Sequence, residues 1–440
     1  MAPPDGDFEQ QPQRLYIEPD PNNFTSYQRE IYASLRRPIF STSPSEWEAL
    51  ARSKVPAPNF GYVYGSASSG RTHQANLGAF DRYRLRPSML VNATQRDLSV
   101  ELFGIKYKSP LMVAPVGVQN IMHRDGEEAT ARACKKLQVP MIVSSAASTT
   151  IEQIAEVGGD RWFQLYWPRP QHDDITASIL GWAKSNGYKV LVVTLDTFTL
   201  GWRPTDLDTS YLPFIWGQGC QIGHSDPVFC QKFAEMAQKD SRSHAQKLEE
   251  LQTMLQRSGS ASGAAQGLQD VDILQKSRAW LDIMNSGTYR EWEDLRILRK
   301  LWGSEPIVLK GIQTVADARK ASEYGMNGII VSNHGGRQCD GAIASLDALA
   351  EIAADEQVQK SLTILFDSGI RTGSDVLKAL ALGAKAVCIG RPYMYGLAIA
   401  GEEGVEHVLK CLLADTDNTL GNMGKKSTRE LSRHDLQIKS

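Results

Sequence analysis

Eight short apolar runs, rich in β-branched residues and strung in series, constrain this chain more than any other feature. They are Leu111–Pro115, Met141–Ser144, Trp162–Tyr166, Val190–Thr194, Ile307–Lys310, Ile329–Ser332, Thr363–Asp367 and Ala386–Ile389. Each is followed by a polar loop and, in most cases, a helical segment. Runs that are continuously apolar rather than alternating fit parallel strands covered on both faces. Eight such β–α units predict an α/β fold, a (β/α)8 TIM barrel. An open doubly wound sheet is the alternative, but it usually has fewer strands, and no G-x-G-x-x-G follows the first run.

The punctuation between the runs agrees. Ser43-Pro44-Ser45-Glu46 predicts a helix start, with Ser43 as cap, Pro44 at the first helical position and Glu46 completing a capping box. Asp125 with Glu128 reads as a second capping box. Thr314 opens a helix that stops at Gly325, and a further helix stops at Gly383. Residues 1–40 read as an N-terminal extended arm, and residues 41–440 as one barrel domain entered through N-terminal helix. More than 110 residues separate the fourth and fifth runs. They include Gly217–Phe229, a polar helical segment near Val228–Gln256 and the low-complexity run Ser258–Gly263. An insertion of this length on a βα loop, about 205–288, is expected to act as a lid; a plain surface excursion is the alternative.

Composition removes some function classes. Of 440 residues, 48 are Lys or Arg and 50 are Asp or Glu. This balance gives no electrostatic footprint for nucleic acid or an anionic membrane. No apolar run reaches the ~18 residues of a membrane helix. Met1–Asp20 is Pro-rich and lacks a basic stretch leading into an apolar one, so no secretory signal is expected. Cys134, Cys220, Cys230, Cys339, Cys388 and Cys411 form no C-x-x-C pair and do not cluster. Reduced thiols in a cytoplasmic protein are the expectation. The last residues, Gln437–Ser440, are not a peroxisomal S-K-L. No metal site is expected.

In a (β/α)8 barrel the chemistry sits at the carboxyl ends of the strands. Those ends carry Ser144 and Ser145, Gln164 and Tyr166, Thr194 and Asp196 with Arg203 soon after, Lys310, Ser332 through Arg337, Asp367 through Arg371, and Gly390-Arg391. Gly369, Arg371, Gly373, Gly390 and Arg391 follow strands seven and eight, the usual phosphate position in this fold. Glycines there let backbone N–H groups approach an anion, and Arg supplies paired charge-assisted bonds. Glycines that merely make turns are the plain alternative. A phosphate here points to a cofactor tail, FMN being the obvious candidate. The run S-N-H-G-G-R-Q-C-D at 332–340 is the sharpest local feature. A lone His is more often a satisfied core residue, but His334 sits at a strand end among glycines and suits a general base near neutral pH. Asp196 could accept its other N–H. Arg337 and Arg203 could clamp a carboxylate.

These residues resemble the FMN-dependent 2-hydroxy acid oxidase and dehydrogenase family, which includes glycolate oxidase and lactate oxidase. The match runs from about Glu46 to Arg433. It rests on S-N-H-G-x-R-Q-x-D at 332–340, Q-L-Y at 164–166, T-L-D-T at 194–197, L-K-G at 309–311, D-S-G-I-R at 367–371 and I-G-R-P at 389–392. The resemblance implies FMN as cofactor and His334 as the base, paired with Asp196. It implies that Arg203 and Arg337 hold the substrate carboxylate, helped by Tyr62 and Tyr166. Lys310 would stabilise negative charge on reduced flavin. Ser144, Gln164, Thr194 and Ser332 would lie along the flavin ring, and Asp367, Gly369, Arg371, Gly390 and Arg391 along the ribityl chain and phosphate. Ala114, Pro115 and Gly117 would approach the flavin face. A tetramer or octamer is implied by resemblance alone.

One departure bears on the reaction. Many family members have Ala-Pro-x-Ala where this chain has Ala114-Pro115-Val116-Gly117. A similar Gly appears in lactate 2-monooxygenases, as do Gly201-Trp202-Arg203-Pro204, the long fourth loop and Ser225–Phe229. A roomier pocket would hold the keto acid, so the expectation is oxidation of L-lactate or another small L-2-hydroxy acid by O2, with decarboxylation to acetate, CO2 and water. A glycine needed for positive φ is the plain alternative, and release of keto acid with hydrogen peroxide is the alternative reaction. Leu200, Trp202 and the insertion are expected to shape the side-chain pocket. There is no haem-binding domain before residue 40, and the insertion has no apolar membrane patch. A catalytically dead barrel would have lost His334, Lys310 or an Arg, and none is lost.

Overall fold

A computed structural model describes residues 23–243, 245–250 and 271–438, together with Glu18, Asp20 and Thr253. Eight parallel strands close into a barrel: β1 (Leu111–Val113), β2 (Met141–Ser144), β3 (Arg161–Tyr166), β4 (Leu191–Thr194), β5 (Ile307–Ile312), β6 (Gly328–Val331), β7 (Thr363–Phe366) and β8 (Ala386–Ile389). Each of the eight apolar runs is one strand. β8 pairs with β1, which closes the ring.

Period-two alternation sorts each strand's side chains into two sets. Met112, Ile142, Trp162, Val192, Val308, Ile330, Leu365 and Ala386 point inward and form one apolar cluster. Their neighbours Val113, Val143, Phe163, Val193, Leu309, Ile329 and Phe366 point outward and join the core under the helices. Both faces are therefore covered, which is why the runs show no polar alternation. Two residues further along the inward face stand Ala114, Ser144, Gln164, Thr194, Lys310, Ser332, Asp367 and Cys388. The barrel interior thus turns from apolar to polar in one layer, at the carboxyl ends. A hairpin, Val100–Leu102 with Ile105–Tyr107, plugs the opposite end. There the Trp162 indole N–H donates to the Tyr107 hydroxyl at 3.1 Å.

The helix punctuation holds in part. Thr314 accepts from the Asp317 N–H and caps Val315–Glu323, and Gly383 ends Gly373–Leu382. Pro44 opens Pro44–Arg52, but Ser43 makes no cap bond; its hydroxyl pairs with Ser45 at 2.8 Å. Asp125 likewise does not cap Gly126–Leu137, because its backbone is already helical. Within the N-terminal arm, Ser26–Ser34 is helical rather than extended. It packs on the kinked C-terminal helix Arg391–Asn422, where the Thr25 N–H donates to Asp417 and the Tyr27 hydroxyl meets His407 Nδ1 at 2.6 Å. The insertion contains Pro227–Lys239 and Val271–Met284. The expected run Ser258–Gly263 lies outside the described residues, as does much of the polar segment ending at Gln256. Among the described residues, no helix is long and apolar enough to cross a membrane, and no group of three His, Cys, Asp or Glu side chains is placed to hold a metal. All six cysteines are free thiols.

Candidate active site

A cleft of about 1280 Å3 opens at the carboxyl end of the barrel. This exceeds the roughly 300–1,000 Å3 of a single small-molecule pocket, so a cofactor and a substrate fit together. Its floor is the polar layer. Ser144 donates to Gln164 Oε1 at 2.9 Å, and Gln164 Nε2 donates to Thr194 Oγ1 at 2.9 Å. Lys310 Nζ donates to Ser332 Oγ at 3.0 Å and lies 3.4 Å from Asp367. Burial alone would lower Lys310, but Asp367, Asp196 and Tyr166 outweigh it and hold the ammonium firmly charged. Ser144, Gln164, Thr194 and Ser332 lie just beneath the lining, whereas Lys310 and Asp367 reach it.

Above this floor stands His334, at the start of the turn after β6. Its φ is 60°, and Gly335 and Gly336 follow at 66° and 75°. Left-handed backbone is uncommon for a non-glycine residue, and local bonds hold it here. Ser332 Oγ accepts the His334 N–H at 3.0 Å, and Asn333 Oδ1 accepts the Gly336 N–H at 3.1 Å. Gly336 must be glycine, because a Cβ would stand 2.5 Å from the His73 nitrogen. His334 Nδ1 meets Asp196 Oδ1 at 2.9 Å, which leaves Nε2 for a substrate. Burial lowers the imidazole pKa, with Asp196 opposing, so the ring is neutral at pH 7 and can accept a proton. Burial pushes Asp196 up, but His334 and Lys310 outweigh it and bring it to about 2.

The clamp residues stand beside it. Arg203 donates to the Arg337 carbonyl at 3.1 Å and to Gln338 Oε1 at 2.6 Å. Arg337 donates to the carbonyls of Val63 and Gly65 at 3.1 and 2.9 Å, with its guanidinium 5.5 Å from the Tyr62 ring centre. Burial, then Arg203 and Arg391, pull Arg337 down to about 9. Burial pushes the Tyr62 hydroxyl up to about 12 and raises Tyr166 as well, so both remain donors at neutral pH.

At the β7–β8 side, Gly369, Arg371, Gly390 and Arg391 line the cleft together with Ala114, Pro115 and Gly117 from the β1 loop. Arg391 is held by the carbonyls of Tyr64, Gly335 and Gly65. Burial and the neighbouring Arg371 pull it down to about 10, against Tyr395. In all, Arg203, Lys310, Arg337, Arg371 and Arg391 line the cleft against a single carboxylate, Asp367. Buried cations held mostly by carbonyls call for anions. The two groups, one at β7–β8 and one beside His334, fit a phosphate and a carboxylate. The residues present therefore suit FMN.

Three expectations are corrected. Gly373 is not part of the anion cradle: its N–H donates to Asp415 at 2.5 Å, and a Cβ would strike Thr416. It lets the C-terminal helix approach. Trp202 is 70% exposed and does not line the cleft, although Leu200 does. Gly117 has no positive φ; a Cβ there would lie 2.5 Å from the Ala146 carbonyl oxygen, so close packing of the β1 and β2 loops demands it. The insertion does contribute, through Phe214, Gly219, Trp280, Leu281, Met284 and Asn285. Gln338 was missing from the expected set. It accepts from Arg203 and the Gly201 N–H and donates to the carbonyls of Asp196 and Thr199, tying the clamp to the base pair. Its place beside Arg337 was a signal, since a Gln can serve four such bonds.

Comparison with known proteins agrees with this geometry. Residues 51–438 match the family model of FMN-dependent dehydrogenases. An FMN-dependent alpha-hydroxy acid dehydrogenase of Schizosaccharomyces pombe is 44% identical over 411 residues, covering 92% of this chain and 93% of that protein. The L-lactate oxidase of Lysinibacillus sphaericus is 37% identical, covering 83% and 84%. A crystal structure of mandelate oxidase superposes with a TM-score of 0.71 at 31% identity, covering 91% of this chain and 99% of that one. With barrel, cation-rich cleft and buried His–Asp pair already in place, the chain belongs to the FMN-dependent dehydrogenase family, as an oxidoreductase acting on 2-hydroxy acids.

Proposed function

We propose that the chain oxidises a small L-2-hydroxy acid, L-lactate first among them, and that the keto acid is decarboxylated in the covered cleft, so that lactate and O2 leave as acetate, CO2 and water. The observation that carries the oxidation is the neutral His334, tied to Asp196, in one cleft with Arg203 and Arg337. Arg203 and Arg337 hold the carboxylate, and the hydroxyls of Tyr62 and Tyr166 steady it. That places the C2 hydroxyl and hydrogen near His334, which takes a proton at Nε2 while Asp196 steadies the imidazolium. Bound FMN supplies the electron acceptor, taking two electrons from the substrate and passing them to O2. Arg371, Arg391, Gly369 and Gly390 would hold its phosphate, Asp367 its polyol chain, Ala114, Pro115 and Gly117 one ring face, and Ser144, Gln164, Thr194, Ser332 and Lys310 its polar edge.

Retention of the keto acid is supported by the insertion residues over the cleft, which exclude water from it. Release of pyruvate with hydrogen peroxide is the second reading. The packing of Gly117 against Ala146 favours it, because it explains that glycine without a product pocket. The test is to incubate the yellow protein with L-lactate in air and quantify acetate, pyruvate and hydrogen peroxide together. Acetate in step with O2 consumed, with little peroxide, supports decarboxylation; pyruvate with equal peroxide overturns it and leaves an oxidase. A flavin that lactate does not bleach anaerobically removes lactate as substrate. The proposal extends to a cytoplasmic homo-oligomer; the free thiols support a reducing compartment, and size-exclusion chromatography tests the assembly.

A further inference from the structure

Asn285 is the one polar side chain that the insertion brings to the cleft lining. It directly follows the helix Val271–Met284, and its backbone N–H donates to the Leu281 carbonyl at 2.8 Å. Two further backbone bonds fix this segment. The Arg169 N–H reaches the Ile283 carbonyl at 3.3 Å, and the Gly287 N–H reaches the Phe198 carbonyl at 3.1 Å. They tie it to the chain just after β3 and β4. Asn285 therefore stands on the side of Tyr166, Thr197 and Arg203, away from the anion cradle at β7 and β8.

Its neighbours in the lining are apolar: Leu281, Met284, Trp280 and Leu200. Among them, Asn285 Oδ1 is cut off from solvent and has no hydrogen-bond partner. A buried amide oxygen without a partner is costly, and such atoms in native proteins call for an explanation. Turning the amide over does not remove the problem, since it exchanges an orphan acceptor for an orphan donor. The substrate's carboxylate and C2 hydroxyl are already served by Arg203, Arg337, the two tyrosines and His334. What remains is the substituent on C2, which the clamp leaves free to face the roof.

We propose that Asn285 is a specificity-determining residue, whose amide hydrogen-bonds a hydroxyl on C3 of the substrate. The preferred substrates are then small L-2-hydroxy acids bearing that second hydroxyl, with apolar side chains of equal size disfavoured. This rests on the cleft being the 2-hydroxy acid site. A site that is built to bond a hydroxyl rejects an analogue lacking it much more strongly than an apolar pocket rejects a hydroxyl.

L-Glycerate and L-2-hydroxybutyrate test this, because they have equal numbers of heavy atoms and differ by hydroxyl for methyl. We would measure kcat/KM for both by flavin reduction in the wild-type holoenzyme and in Asn285→Leu. The wild type should prefer glycerate by about tenfold or more, and the variant should reverse the order. A wild-type preference for 2-hydroxybutyrate, or a ratio unchanged in the variant, overturns the proposal. Thermal melting without substrate is the second readout. Removing an orphan oxygen leaves the melting temperature unchanged or raises it; a fall exposes a structural bond and also overturns the proposal. If neither acid nor L-lactate reduces the flavin, the 2-hydroxy acid reading itself falls, and this one with it.

Discussion

His334 can accept a proton only while its Nε2 is bare. Burial holds its pKa below the ordinary 6.5, with Asp196 opposing. The sign follows: kcat/KM should stay flat as pH drops through 6.5 and fall only at more acidic pH, as the imidazole protonates. A pH profile of L-lactate oxidation with its acid limb above pH 6.5 would contradict this. Asp196→Asn removes the chief upward influence, so the limb should move further to acid. The variant also loses the tautomer lock, and its kcat should drop about 10²- to 10⁴-fold in stopped-flow flavin reduction. Arg337 belongs to the same scale. It already donates to two backbone carbonyls, so Arg337→Met leaves those acceptors unmatched and removes half of the clamp. The loss in kcat/KM should be about 10²-fold or more, with substrate affinity carrying much of it.

The turn after β6 is an element whose shape is fixed by packing as much as by sequence. Gly336 is at positive φ and within 2.5 Å of the His73 backbone at the Cβ position. Gly336→Ala should therefore displace His334 and Arg337 together and lower the thermal melting point and kcat/KM in parallel. The β1 and β2 loops show the same dependence. Gly117→Ala places a methyl group against the Ala146 backbone, and overpacking of this kind costs about 1–3 kcal/mol. The expected outcome is a lower melting point with weaker FMN retention, measured by flavin release on heating. A melting point equal to wild type would mean that the loops can part, and that the methyl group enters the cleft instead.

Across the whole molecule, the cofactor is a structural term as well as a chemical one. Five cations line the cleft against one carboxylate, and they come from loops after β4, β5, β6, β7 and β8. An anionic ligand that binds only the folded state stabilises it by mass action, about 2.7 kcal/mol at a hundredfold excess over its dissociation constant. FMN added to the apoprotein should raise the melting point strongly, inorganic phosphate weakly, and Arg391→Met should blunt both. The insertion acts at this scale too. It closes over the β3–β4 side from a segment far away in sequence, and its side chains replace water above His334.

The strands were legible in the sequence because burial on both faces leaves a continuous apolar run, and eight such runs permit few folds. The polar strand ends were legible for the same reason: Lys310, His334 and Asp367 interrupt apolar runs where nothing structural needs a charge. Tyr62 and Tyr166 required the family resemblance, since a tyrosine carries no local sign of its partner. Three things waited for the tertiary structure. Gly117 and Gly373 are glycines because distant backbone, at Ala146 and at Thr416, comes too close for a side chain. Trp202 is turned outward although Leu200 beside it faces the cleft. Asn285 reaches the site from the end of an insertion helix, with an amide oxygen that nothing in the chain satisfies. Each is a contact between segments distant in sequence. Local propensity and periodicity carry no information about such contacts, because packing distance is set only when the barrel closes.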